Sequence, residues 1–109
     1  MTADLSLLQG TLDVLVLRTL AWGPRHGYAV AKWIADTTDD DLQIEEGALY
    51  TALHRMEKRG WIESEWGVSD TGRRAKFYQL TRDGQAQLQL QTQRWARYAR
   101  AVSKVLQPA

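Results

Sequence analysis

A chain of 109 residues, 44% of them hydrophobic and 25% charged, is sized for one modestly cored domain and is too apolar to stay disordered. It has no cysteine and only two histidines, His26 and His54, which excludes disulfides and allows an ordinary zinc site only with carboxylates that nothing in the sequence positions. The net charge is +1, yet residues 1–54 hold three Lys/Arg against eight Asp/Glu while residues 55–109 hold eleven against five. Any nucleic-acid footprint therefore has to come mainly from the second half.

The opening MTADLSLL has neither the basic region nor the long apolar run of a signal peptide, and no stretch reaches the ~20 apolar residues of a membrane span. A cytoplasmic protein is expected. From Leu5 to Trp22 the chain is apolar nearly all round, interrupted only by Asp13, Arg18 and Thr19 among its central residues. Thr11 with Asp13 starts the main helix, with a further turn open between Leu5 and Gln9, and Gly23-Pro24 ends it. Such a helix needs cover on two sides, which makes Leu8 and Leu12 candidate dimer contacts. A second, short helix follows over His26–Ala35. Val30 and Ile34 are its apolar anchors, Gly27, Ala31 and Ala35 let another helix come close, His26 sits at its start, and Tyr28 is read as core. The TTDDD loop lacks the alternating ligands and glycine of a calcium loop and reads as a solvated turn.

The stretch EEGALYTALHRMEKRG predicts a third helix from about Glu46 to Arg59. Leu49, Leu53 and Met56 form its apolar stripe, while Gly47, Thr51, His54 and Lys58 lie roughly opposite, flanked by Tyr50 and Arg55. Glu45 and Glu46 suit the positive end of the helix dipole, and Gly60 is the expected left-handed stop. A face of Thr, His, Arg, Lys and Tyr beside a glycine can approach base edges and phosphates closely, although an ordinary solvated face has the same composition.

Ile62–Trp66 and Ala75–Leu80 alternate as two strands, and GVSDTGRR between them supplies the turn. Arg73, Arg74 and Lys76 make this hairpin a basic finger, or else a hairpin charged only for solubility. Thr81 caps a last helix running from about Arg82 toward Leu106. Leu88, Thr92, Trp95, Ala99, Val102 and Leu106 are spaced 4, 3, 4, 3, 4 along it, the rhythm of two helices wrapping each other. The same seam can pack on the chain's own first helix.

Together these pieces predict a mainly α protein with a small β-hairpin: a winged helix-turn-helix over residues 1–80, followed by a C-terminal dimerisation helix over residues 81–109. The sequence also resembles the PadR family of bacterial transcriptional regulators, through LLQGTLDVLVLRTLA, HGY at residues 26–28, EGALYTALHRMEKRGWI and GRRAKFYQLTRDGQ. It differs from the common family pattern at Glu45, Ala48 and Thr51. The resemblance implies dimeric operator binding, usually repression relieved by a small molecule or another signal. It assigns the DNA-facing set to Tyr50, Thr51, His54, Arg55 and Lys58 on the third helix and to Arg73, Arg74 and Lys76 on the wing.

The expected partners are thus double-stranded DNA, as an inverted-repeat operator, and a second copy of the chain held through Leu8, Leu12, Leu88, Trp95, Ala99, Val102 and Leu106. No cofactor or metal is expected. Trp95, a large residue in the seam beside the small Ala96 and Ala99, either fills the dimer core or faces its copy across the two-fold axis as the candidate ligand-binding residue, with a planar aromatic effector between the two indoles. An enzyme is the weakest reading, since neither a P-loop nor a nucleophile elbow is present. The serious rival is a winged-helix module that binds another protein. The basic wing favours phosphate contacts over a protein interface, where Lys is depleted.

Overall fold

Apolar residues at helical spacing give four helices and the alternating stretches a small sheet, in a computed structural model whose described residues are 10–108. Leu8, expected as a dimer contact, lies outside them. The order is α1 (Thr11–Leu20), β1 (Arg25–His26), α2 (Gly27–Thr37), α3 (Glu46–Lys58), β2 (Ile62–Val68), β3 (Arg74–Leu80) and α4 (Arg82–Leu106). The sheet is antiparallel with strand order β1-β3-β2, so the hairpin strand β2 is an edge. This is a winged helix-turn-helix with a long C-terminal helix, as the sequence predicts.

The core lies where α1, α2 and α3 cross over the sheet. Val16, Leu17 and Leu20 of α1 meet Val30 and Ile34 of α2, then Leu49, Ala52, Leu53 and Met56 of α3, with Ile62 and Tyr78 closing it from the strands. Burying each of the larger aliphatic side chains contributes roughly 1.5–3 kcal/mol, enough in sum to hold three short helices that would not persist alone. Thr19 is buried among them without cost because its hydroxyl donates to the Leu15 carbonyl at 2.8 Å.

Local chemistry sets the element ends. His26 caps α2, its Nδ1 accepting from the Ala29 amide at 3.3 Å. Gly60, at φ +79°, turns the chain out of α3 while the Trp61 amide donates back to the Met56 carbonyl at 3.0 Å. The Thr81 hydroxyl both accepts from the Gly84 amide at 3.1 Å and donates to the Gly60 carbonyl at 2.5 Å, so the cap of α4 is also tied to the end of α3.

Three expectations change. Tyr28 is not core: it is 70% exposed, because it lies about 200° round α2 from the buried Val30, and its ring stacks beside His26 instead. The second apolar flank of α1 does not stand open for a partner, since α4 of the same chain packs on α1 and Leu12, Leu15 and Leu88 all lie against the core. The third strand, β1, is also new. Two residues cannot show an alternation, and Arg25 and His26 are extended only because they pair with Tyr78 and Phe77.

Candidate nucleic-acid interface

Helix α3 divides as its spacing predicts. Leu49, Ala52, Leu53 and Met56 are buried, and Tyr50, Thr51, His54 and Lys58 are exposed on the other side. Arg55 does not join the exposed set. It is half-buried, and its guanidinium is ion-paired with the carboxylate of Asp13 on α1, whose side chain is only 13% exposed. Tyr50 leans over the start of α2: a β-carbon on Gly27 would stand 2.7 Å from the Tyr50 hydroxyl, so the absence of a side chain at Gly27 is what seats the ring.

The hairpin carries the remaining basic residues. Its turn is closed by the Ser69 amide donating to the Arg73 carbonyl at 2.8 Å, with Gly72 at φ +80°. Arg73 and Arg74 project into solvent. Lys76, expected beside them as a DNA contact, sits lower on the stem with its ammonium 3.7 Å from Glu57 of α3. The same Glu57 carboxylate accepts from the Ser64 hydroxyl at 2.5 Å, so one acidic side chain ties α3 to both strands of the wing. Nothing in the sequence marks Glu57 for this role, because its partners are defined only once the hairpin packs on the helix. Burial, then the charge of Glu57, raises the Tyr78 hydroxyl above the ordinary tyrosine range.

Along α4 the seam splits into two parts. Leu88 packs on the core, whereas Trp95, Val102 and Leu106 are exposed and Ala99 is half-buried. Tyr98 and Val105 add to this uncovered apolar surface. Trp95 stands beside Tyr98, ring centres 6.1 Å apart, in an open groove of about 730 Å³ whose walls include Asp13, Arg59, Trp61 and Arg94. Among the described residues no three His, Asp or Glu side chains are gathered as a metal site, and no helix is long and apolar enough to cross a membrane.

Residues 16–90 match the model of the transcriptional regulator PadR-like family. An uncharacterised protein of Lysinibacillus sphaericus is 37% identical over 91 residues, 83% of each chain. The fold is similar to that of a transcriptional regulator from Clostridium thermocellum, at 30% identity and TM-score 0.83 over 91% of this chain and 96% of that one. It is also similar to a PadR family transcription regulator from Clostridium difficile, at 30% identity and TM-score 0.76 over 90% of this chain and all of that one. With a family match over most of its length and a fold shared over about nine tenths of the chain with a regulator of that family, this chain belongs to the PadR-like family of transcriptional regulators.

Proposed function

We propose that this regulator binds DNA directly as a homodimer, reads an inverted repeat, and represses transcription until a planar aromatic small molecule binds near Trp95. The observation that carries the DNA reading is the free basic surface around α3. Lys58, Arg73 and Arg74 are exposed, and none of them has an acidic partner among the described residues. Thr51 and His54 beside them offer polar groups that fit base edges, and Tyr50, seated against Gly27, flanks them. In this reading Lys58, Arg73 and Arg74 neutralise phosphates, while Arg55 and Lys76, already paired with Asp13 and Glu57, hold α3 and the wing in place.

The homodimer is supported by the bare apolar stripe at Trp95, Val102 and Leu106 on a helix that extends past its own core. A two-fold dimer presents two α3 helices to successive major grooves, so the half-sites lie about one helical turn apart or a multiple of it. The effector reading is supported by the groove in which Trp95, Trp61 and Tyr98 gather.

Selection of duplexes from a random pool by the purified chain, followed by footprinting, tests the proposal. The expected result is enrichment of a two-fold symmetric sequence with two protected half-sites. If no sequence is enriched and the chain does not retain duplex DNA at low salt, the DNA reading fails and protein binding by the same face takes its place.

A further inference from the structure

The wing has two unlike faces. Ile62, Ser64, Trp66 and Val68 alternate onto the side of β2 that meets α3, since Ile62 is in the core and Ser64 donates to Glu57; Glu63 and Glu65 point the other way. Opposite them on β3, Leu80, Tyr78, Lys76 and Arg74 share the near side. Within the two strands every basic side chain is therefore on the α3 side and both acidic ones are on the far side, where Glu63 accepts from Gln79 at 2.9 Å. This polarity makes the near side the one that attracts a polyanion.

On that near side stands Trp66, 59% exposed on an edge strand. Large exposed aromatics on edge strands invite unwanted pairing and are usually avoided, so packing does not account for this one. Its neighbours do. Lys76, directly across the ladder from Trp66, is drawn down toward Glu57, which leaves the indole face to the diagonal neighbour Arg74. The Arg74 guanidinium lies 4.5 Å from the centre of the indole ring. A guanidinium stacked on an indole keeps its planar edge of N–H donors free while losing the freedom of a long side chain, the arrangement that suits a bidentate phosphate contact.

We propose that Trp66 is a positioning residue for DNA binding, a shelf that holds Arg74 against a phosphate of the backbone flanking the groove entered by α3. The inference rests on the DNA reading given above. The ligand chemistry is the sugar–phosphate backbone, so the contribution is independent of base sequence.

The experiment measures binding of the full-length chain to a fluorescently labelled mixed-sequence duplex over a range of salt, for the parent, Arg73→Ala, Arg74→Ala, Trp66→Ala, Trp66→Leu, Trp66→Phe and the Trp66→Ala/Arg74→Ala double variant. Arg74→Ala is expected to lower the salt slope by about 0.9 for each wing engaged. Trp66→Ala and Trp66→Leu are expected to weaken binding about fivefold per wing, Trp66→Phe to restore most of the loss, and Trp66→Ala to cost nothing further once Arg74 is gone. Because Trp66 lies outside the core, melting temperatures should match the parent's, and the leucine variant keeps the apolar bulk if the alanine variant does not fold. If Arg73→Ala weakens binding while the Trp66 variants bind like the parent, the shelf is wrong and the DNA reading stands. Additive losses in the double variant also overturn the shelf. A parent that binds no duplex overturns the DNA reading and the shelf with it.

Discussion

The guanidinium of Arg55, in the last turn of α3, is ion-paired with the carboxylate of Asp13 in the first turn of α1. This cross-link fixes α3 to α1, the helix on which α4 packs. Asp13 is mostly shielded from water, and removing Arg55 leaves its charge uncompensated. Arg55→Ala should destabilise by about 1–2 kcal/mol, between the values for exposed and buried pairs, and lower Tm by roughly 4–10 °C. Its salt slope for DNA binding should equal the parent's, whereas Lys58→Ala should reduce it. Thermal melts and salt titrations of the two variants decide whether Arg55 is a strut or a contact.

Gly84 lies in the first turn of α4, and a β-carbon there would stand 1.9 Å from the Trp61 carbonyl oxygen. In an exposed helix Gly→Ala stabilises by about 1 kcal/mol; here the backbone of Trp61 cannot give way, and the change should cost at least ~3 kcal/mol. Urea unfolding of Gly84→Ala measures the sign directly. A gain in stability would mean that α4 does not seat against Trp61.

Dimerisation is expected to depend on the distal part of α4 alone. Val102→Gln with Leu106→Gln replaces apolar residues that touch no core, so helical content should persist while light scattering reports half the parent's mass. An unchanged mass would move the interface elsewhere.

Tyr78 makes the stability pH-dependent at the alkaline end. Burial and the neighbouring Glu57 raise its folded pKa, so the folded chain holds this proton more tightly than the unfolded chain does. The stabilisation is complete below the ordinary tyrosine value of about 10 and is lost as pH rises through the folded pKa. Urea midpoints measured between about pH 8 and 11 should fall for the parent and fall less for Tyr78→Phe. Parallel curves would remove Tyr78 as the cause.

Planar aromatic compounds titrated calorimetrically into the parent should include binders whose heat disappears in Trp95→Ala, since Trp95 lines the groove with Trp61 and Tyr98. Equal binding by the two proteins would place effector entry elsewhere.

The sequence by itself determined the order and type of the major elements, because each rests on interactions within a few residues. The apolar spacing of Leu49, Leu53 and Met56 sets the buried face of α3, the left-handed Gly60 stops that helix, and the Thr81 hydroxyl starts α4. The exposure of Thr51, His54, Lys58, Arg73 and Arg74 was legible in the same way, as the polar side of a local pattern. Only the tertiary structure decided which partners Arg55, Lys76 and Gly84 have. Arg55 and Asp13 are 42 positions apart, Lys76 reaches Glu57 across the joint between wing and helix, and Gly84 is required by the carbonyl of Trp61. Those partners depend on the angles at which helices and hairpin pack, and no local periodicity encodes an angle between elements that the chain separates by tens of residues.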